Sequence, residues 1–301
     1  MSFGRTSFFV LVATLLFSVP SAASAASDNC PPSRRSTSPG TVTDPQLTEI
    51  SGIVSGRRNA HTWWVHNDSG DTARVFALGA KGNVRRVYSL DGASATDWED
   101  LAIGPGPRKG VNYLYMADIG DNAAARPEVV IYRVAEPKVT NGSRPLTLGK
   151  VAAFHLLYPD GPRDAEALLV DTVTRDVFII GKRYQGGTVH IFRMPPKLKS
   201  GSTSTLVDVG TITLPKGIPN AITGGDIAPN GGGILLRTYG TVRLFTRGKK
   251  QSVPSALTGV SCVVDSPIES QGEAIGFDRN GKGFVTVGEG ANREINHVSL
   301  R

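Results

Sequence analysis

Residues 98–118 of the chain read WEDLAIGPGPRKGVNYLYMAD. An acidic pair opens this stretch, and a Gly/Pro-rich turn separates two apolar runs. The opening motif belongs to a series in which a small or acidic residue precedes a short apolar run, at intervals of about 50 to 70 residues. The five copies are residues 50–54 (ISGIV), 98–102 (WEDLA), 165–169 (AEALL), 224–228 (GGDIA) and 272–276 (GEAIG). The chain is therefore built from a repeated unit.

Each copy is followed by a second and a third apolar run, and in four of the five repeats by a fourth. The runs are rich in Val, Ile, Leu, Phe and Tyr, and turn sequences such as residues 81–83 (KGN) separate them. Four antiparallel strands per repeat are typical of propeller blades. We therefore predict an all-β protein, a five-bladed β-propeller over residues 41–301, with six blades as the alternative. We expect residues 41–43 to supply the strand that the fifth repeat lacks and to cover its edge.

The N-terminus has the pattern of a secretory signal peptide over residues 1–25. Arg5 precedes an apolar run, residues 8–19, and residues 23–25 (ASA) fit a cleavage site. Residues 26–40 form a Ser/Pro-rich leader. Since no later segment is apolar over the length of a membrane span, we expect a secreted, monomeric protein with no membrane association after cleavage.

The chain has two cysteines, Cys30 and Cys262. In the oxidising compartment that the signal peptide implies, we expect them to form a disulfide. Two unpaired thiols are the alternative.

The positive charge of the chain does not indicate a nucleic-acid partner. The formal net charge is +7, but the basic residues are dispersed, whereas nucleic-acid-binding proteins concentrate them on one element. The chain also lacks the G-x-S-x-G, H-E-x-x-H, Walker and Rossmann patterns. Nucleophilic serine chemistry and nucleotide cofactors therefore have no support.

Propeller topology predicts which side chains meet. The first strand of each blade lines the central channel, and its start lies beside the end of the antiparallel second strand. The second residues of the five motifs should therefore form a ring at one mouth of the channel. These residues are Ser51, Glu99, Glu166, Gly225 and Glu273. We expect Asp100 and Asp226, which follow ring positions, to face away from the axis.

A ring with three carboxylates needs protons, basic partners or a cation. Oxygen ligands suit Ca²⁺, and the few His and Cys residues do not suggest zinc. Ser51, Glu99, Glu166 and Glu273 are therefore the candidate Ca²⁺ ligands. The alternative is that these acids only cap the blade entrances by accepting backbone N–H bonds.

Polar residues at the ends of the second strands should form a second layer around this ring. A fixed cation facing basic side chains would suit a small phosphorylated or anionic ligand. The candidates for binding that ligand are His66, Lys182, Arg183, Arg237 and Tyr239. The candidates for a catalytic general base are Asp68, Asp118 and Asp121.

The five motifs resemble the inner strands of calcium-dependent propeller phosphohydrolases, namely the five-bladed calcium-activated nucleotidase (apyrase) family and the propeller and esterase-like phytases. The resemblance covers about five residues in each blade. It implies that Ser51, Glu99, Glu166 and Glu273 bind Ca²⁺ directly or through water, and that residues 180–183 (IGKR) bind phosphate. It departs from the nucleotidase pattern at Gly225, where that family has a serine.

The sequence therefore predicts a secreted, Ca²⁺-dependent hydrolase of phosphoesters or phosphoanhydrides that acts at the mouth of a propeller channel. The alternative is a non-catalytic propeller that binds a peptide, glycan or protein partner and uses the acidic ring structurally. A third and weaker option is hydrolysis of lactones or sugars on a metal-centred propeller.

Overall fold

A computed structural model describes residues 30–35 and 38–300 of the chain. The chain divides into two compact units, Met1–Cys30 and Pro31–Arg301, and all of the secondary structure given below belongs to the second. The predicted signal peptide, residues 1–25, lies outside the described residues, as does most of the leader. No helix in the described part of the chain is long and apolar enough to cross a membrane.

The strands of the second unit follow one another along the chain in repeated groups. The first two are β1 (Ser33–Arg35) and β2 (Gly40–Val42). Blade one contains β3 (Ile50–Ser55), β4 (Thr62–Asn67), β5 (Arg74–Gly79) and β6 (Val84–Leu90). Next come β7 (Trp98–Pro105), β8 (Asn112–Asp118), β9 (Val129–Ala135), β10 (Leu146–Leu148) and β11 (Ala152–Leu157). Of these five, β7, β8, β9 and β11 form blade two.

The remaining strands form the last three blades. They are β12 (Ala165–Val170), β13 (Val177–Gly181), β14 (Gly186–Arg193), β15 (Thr203–Thr205) and β16 (Val207–Lys216), then β17 (Ile222–Ile227), β18 (Gly233–Thr238), β19 (Val242–Thr246) and β20 (Ser261–Val264), and finally β21 (Gly272–Phe277), β22 (Gly283–Gly288) and β23 (Arg293–Leu300). Blade three is β12–β13–β14–β16, blade four is β17–β18–β19–β20, and blade five begins with β21–β22–β23.

The five sheets confirm the predicted all-β, five-bladed propeller. Each innermost strand contacts the innermost strand of the next blade, and β21 contacts β3, so the ring is closed. In the described residues, helix is confined to α1 (Val253–Leu257) and one 3-10 turn, Ile218–Asn220.

Blade five is completed by the N-terminal strands. Strand β2 pairs antiparallel with β23, with Gly40 opposite Ile295 and Val42 opposite Arg293. Strand β1 continues along the same edge, with Ser33 opposite Leu300. The expected contribution of residues 41–43 is confirmed within one residue. The two ends of the second unit therefore share one sheet.

Two short strands extend the sheets of neighbouring blades. Strand β10 pairs in parallel with β6 of blade one, and β15 pairs in parallel with β11 of blade two. Both lie in the connection that precedes a blade's last strand and cover the outer edge of the preceding blade. They thus link consecutive blades and shield two edges that could otherwise pair with another chain.

The hydrophobic core lies between the blades. One cluster joins blades one and two around the fully buried Trp64 and Trp98. The Trp64 ring lies 5.4 Å from that of Tyr88, and the Trp98 ring 6.1 Å from that of Tyr132. Offset aromatic pairs at such distances add packing energy beyond their buried area. Each ring pair lies within one blade, and the shared cluster packs the two blades against each other.

Both cysteines are disulfide-bonded, and neither is free. The predicted disulfide between Cys30 and Cys262 is therefore confirmed. Such a bond fits an oxidising environment.

Candidate metal centre at the channel mouth

The residues at the channel mouth are set by a β-bulge at the start of each innermost strand. In every blade the ladder between the first and second strands skips one residue, which leaves that residue unpaired. Bulges commonly re-aim a side chain next to a functional site. The five bulged residues are Ser51, Glu99, Glu166, Thr223 and Glu273, all at most 3% exposed. Four of them are the predicted ring residues.

In blade four the ring position belongs to Thr223 and not to Gly225. Gly225 pairs with Leu236 inside the regular ladder, and the register shift falls between Ile222 and Gly224. The motif alignment was wrong here because residues 224–228 match the other copies in sequence, whereas the bulge lies two residues earlier. The ring thus has a hydroxyl in blade four.

The two hydroxyl residues of the ring form hydrogen bonds to the backbone of the next blade. Ser51 Oγ donates to the carbonyl of Glu99, and Thr223 Oγ1 donates to the carbonyl of Gly272 at 2.8 Å. Both bonds are buried and join the ring strand of one blade to that of the next. These hydroxyls therefore have a structural role in addition to any role in binding.

The carboxylates at the mouth form a continuous arc. Three overlapping groups each bring one oxygen per residue within 4.8 Å of the others. The groups are Asp68–Glu273–Glu289, Asp68–Asp97–Glu99 and Glu99–Asp164–Glu166. Carboxylates at this separation repel one another unless protons or a cation intervene. The donor set of these groups is all oxygen, which suits a hard cation.

Two of the ring carboxylates have oxygens that nothing satisfies. Glu166 Oε2 and Glu273 Oε2 are buried and have no hydrogen-bond partner among the described residues. A buried carboxylate oxygen without a partner is rare in a folded protein, since it loses its hydration without compensation. The two oxygens lie on opposite arms of the arc, and each is free to bind a ligand.

Burial and mutual repulsion raise the pKa values of Asp68, Glu99 and Glu289. The pKa of Glu99 lies well above its ordinary value because the side chain is buried and because Asp68 and Asp97 are near. Burial raises the pKa of Asp68 to about 7, and the neighbouring Glu273 adds to the shift. The pKa of Glu289 is raised by burial and by Glu273. The metal-free site thus favours protons, and a divalent cation would compete with them.

Lys182 brings one positive charge into this arc. Its ammonium forms an ion pair with Glu166 and donates to Tyr239 Oη at 3.1 Å. The Lys182 side chain is only 5% exposed. The adjacent Arg183 is exposed and lines a cavity of about 320 Å³ together with Asp164 and Lys182. Lys182, Arg183 and Tyr239 therefore lie where the second layer was expected.

The other predicted side chains are not brought into the arc. Arg237 is buried, donating to the carbonyl of Ala274 at 2.8 Å and to Glu269 at 2.5 Å, and so links blades four and five. His66 is fully buried against the edge of the Trp98 ring, 5.5 Å away, and burial lowers its pKa to about 4.

Asp118 and Asp121 already accept several hydrogen bonds in the turn after the second strand of blade two. Asp118 accepts the backbone N–H groups of Thr96 and Asp97 and an N–H of the Arg126 guanidinium. Asp121 accepts the backbone N–H groups of Ala125 and Arg126. Asp68, by contrast, accepts the backbone N–H of Ser69 and belongs to two of the carboxylate groups.

Asp100 and Asp226 lie inside the channel, contrary to the expectation that they face away. Asp100 Oδ2 accepts the backbone N–H groups of Leu168 at 2.8 Å and Gly225 at 3.2 Å, which belong to blades three and four. Asp226 accepts the N–H of Phe277 in blade five. The bulge changes the alternation of the strand, so the residue after the ring position in blade two also turns inward. Both carboxylates cross-link the inner strands.

Asp97, Asp164 and Thr223 are site residues that the motif alignment did not identify. Asp97 and Asp164 each stand two residues before a ring glutamate, so blades two and three share the pattern D-x-E. This repeated spacing could have identified both aspartates. Thr223 carries no such signal, because its bulge is a property of the backbone.

No protein-family model matches the chain, and no curated protein matches it in sequence. Among solved structures, it is similar to the soluble aldose sugar dehydrogenase of Escherichia coli in the apo form. The TM-score is 0.46 at 10% sequence identity, and the match covers 89% of this chain and 100% of that one. Identity this low carries no information about substrate or chemistry.

Proposed function

We propose that the protein is a Ca²⁺-dependent hydrolase of phosphoesters or phosphoanhydrides that acts at the acidic mouth of the channel. The observation that carries this proposal is the arc of carboxylates in which Glu166 and Glu273 each keep one buried oxygen without a partner among the described residues. Oxygen-only donors and several carboxylates within reach of one ion are what Ca²⁺ takes in proteins. Glu99 would hold an ion with Glu166 at one end of the arc, and Glu273 would supply a ligand in the group at the other end.

The proposed chemistry assigns one role to each remaining side chain of the mouth. A bound Ca²⁺ would supply Lewis-acid polarisation of the phosphoryl group and a position for water. Asp68 would accept a proton from the attacking water, because it is the base candidate with the fewest hydrogen bonds from its own chain. Lys182, held beside Tyr239, would face the phosphoryl oxygens and offset their charge. Arg183 would contribute at the rim.

One observation favours the alternative of a non-catalytic binding module. Ser51 and Thr223 donate to carbonyls of neighbouring blades, and Lys182 already neutralises Glu166. Part of the ring is thus engaged structurally without any ion. In that case the acidic mouth would bind a peptide, glycan or protein partner. The two functions differ in whether Ca²⁺ turns over a substrate.

We further propose that the protein is exported. The disulfide between Cys30 and Cys262 fits an oxidising compartment, and the signal-peptide pattern of residues 1–25 supports the same location. Extracellular Ca²⁺ would be available to the site there.

Glu99→Gln tests the proposed function. Loss of this charge should weaken Ca²⁺ binding. It should also reduce turnover of a generic phosphate ester by a factor of about 100 or more, because a weakly or wrongly bound ion no longer stabilises the charge of the transition state. The measurement is hydrolysis of p-nitrophenyl phosphate and of a nucleoside triphosphate with Ca²⁺ and with chelator.

Glu294→Gln is the matched control, since Glu294 is exposed on β23, outside the arc. It should keep wild-type turnover. The assignment is wrong if Glu99→Gln retains both Ca²⁺ and activity. If wild-type protein binds Ca²⁺ but hydrolyses neither substrate, the binding module is the better account.

A further inference from the structure

The end of the channel opposite the acidic mouth is basic. There the hairpins between the first and second strands of the blades meet, at residues 56–61, 106–111, 171–176, 228–232 and 278–282. The basic side chains of these hairpins are Arg57, Arg58, Arg108, Lys109, Arg175, Arg279 and Lys282, with His61 beside them. Seven Arg and Lys residues that are far apart in the sequence are thus brought to one opening, together with Asp171, Asp176 and Asp278.

Arg57 is the central feature of this opening. It follows β3, and both terminal guanidinium nitrogens, Nη1 and Nη2, are buried without a hydrogen-bond partner among the described residues. Burial lowers the pKa of Arg57, and the nearby Arg279 adds to this effect. An arginine has five N–H donors in a rigid fork. Leaving part of this fork unsatisfied is unfavourable unless something else binds it.

The neighbouring acids are already used by other groups. Glu136 accepts the backbone N–H of Arg58 at 2.7 Å, the Asn59 side chain at 2.9 Å and the indole N–H of Trp64 at 3.2 Å. Asp278 lies 2.9 Å from a ring nitrogen of His297. Neither carboxylate forms an ion pair with Arg57 in the described part of the chain.

Asp226 approaches Arg57 from inside the channel without bonding to it. Asp226 accepts the N–H groups of Ile227 and Phe277, both at 2.8 Å. The positive charge of Arg57 lowers the pKa of Asp226, but no hydrogen bond joins the two side chains in the described part of the chain.

Arg57 is one of the residues that line a cavity of about 420 Å³. Its lining includes Arg57, Arg58 and Arg108, together with Glu136 and the backbone around Gly110. Arg58 and Arg108 are exposed at the rim, whereas Arg57 lies deeper. The lining thus has three arginines and one carboxylate, Glu136, whose oxygens already accept hydrogen bonds from other groups. It therefore carries an excess of positive charge and of hydrogen-bond donors. We call this cavity the arginine pocket.

We propose that the arginine pocket is a binding site for a small phosphate-type oxyanion, such as inorganic phosphate, pyrophosphate or a phosphorylated small molecule. Arg57 would hold the anion with its two free nitrogens at the base of the pocket. Arg58 and Arg108 would bind it from the rim. Guanidinium forks match tetrahedral oxyanions in geometry and charge, which makes bidentate contacts strong and selective. This site is separate from the acidic mouth and does not depend on the proposed hydrolase function.

Calorimetric titration with phosphate, pyrophosphate and sulfate in low-salt buffer with chelator tests the proposal. Chelator leaves the mouth without a cation, so that its carboxylates repel anions and the arginine pocket alone is measured. We expect wild-type protein to bind pyrophosphate more tightly than phosphate. Arg57→Gln should weaken both by about tenfold or more, and Arg108→Gln should weaken them less.

Arg144→Gln is the matched control, because Arg144 is exposed on a loop outside the pocket and removing it lowers the net charge equally. It should change affinity by less than about twofold. If Arg57→Gln does not fold, the exposed Arg108→Gln decides the test.

The proposal is overturned if wild-type protein binds none of the three anions, or if the pocket variants bind them as wild type does. Vesicles containing phosphatidylglycerol distinguish the second source of phosphate groups. Binding to vesicles without binding to the free anions would assign the basic face to a lipid surface and overturn the small-molecule pocket.

Discussion

Glu166 and Glu273 illustrate how single residues carry the candidate site. Each side chain is 3% exposed, and each leaves one carboxylate oxygen without a partner in the described part of the chain. A charge that only capped a strand would accept backbone N–H groups with both oxygens, as Asp118 does. The two glutamates depart from that pattern, because Glu166 is paired with Lys182 through one oxygen and each glutamate keeps one oxygen that a cation could bind. The capping alternative accounts better for Asp100 and Asp118 than for these two residues.

Asp68 gives a residue-scale prediction for pH. Its pKa of about 7 in the folded protein exceeds the ordinary value of 3.8, so between these values the folded state holds a proton that the unfolded state releases. Metal-free protein should therefore lose stability as the pH rises from about 4 to about 7. In the Asp68→Asn variant the side chain cannot ionise, so the variant should not show this loss of stability. The melting temperature of the variant minus that of wild type should increase over this range in chelator.

Thermal unfolding of both proteins in chelator between pH 5 and pH 8 checks this prediction. The comparison cancels other groups, including His66, whose lowered pKa acts in the opposite direction. A difference that stays constant over the whole range would show that Asp68 is not buried among charges. Saturating Ca²⁺ should reduce or reverse the difference, because the ion replaces the proton.

At the scale of elements, the sequence predicted those strands that form repeated apolar runs. The second strands were identified because each is a continuous apolar run such as residues 113–117 (YLYMA), and the closing strand followed from the incomplete fifth repeat. The parallel strands β10 and β15 were not predicted, because Leu146–Leu148 and Thr203–Thr205 are too short to show a period. The bulge at Thr223 was missed because bulges are set by backbone pairing and not by residue type.

The closing strand β2 gives a prediction at this scale. Val42 is 1% exposed and packs in the cluster between blades five and one. Val42→Ala should therefore lower the free energy of unfolding by about 1 to 3 kcal/mol, through lost burial and the cavity it leaves. Urea denaturation followed by tryptophan fluorescence measures this change.

Val263→Ala is the control for the closing strand. Val263 also lies on an outermost strand, β20, but is 58% exposed, so its truncation should change the free energy of unfolding by less than about 0.5 kcal/mol. Equal effects of the two substitutions would mean that β2 does not close the ring in solution.

The whole molecule separates its charges along the channel. Carboxylates gather at the mouth where the first strands begin, and guanidinium groups gather at the opposite opening. The net charge of +7 does not reveal this polarity, because the participating residues are far apart in sequence and only the ring brings them together. A channel with an acidic and a basic end attracts cations and anions to different openings. This polarity supports both the cation site and the arginine pocket.

The most direct test of the central claim is thermal unfolding of the mature protein in chelator and in millimolar Ca²⁺. A ligand present at a hundred times its dissociation constant stabilises the folded state by about 2.7 kcal/mol. For a domain of this size the melting temperature should rise by about 5 to 10 °C, and Glu99→Gln should lose most of the rise, because Glu99 belongs to two of the three carboxylate groups. If Ca²⁺ causes no shift and metal analysis finds no retained ion, the acidic mouth is not a cation site and the account is contradicted.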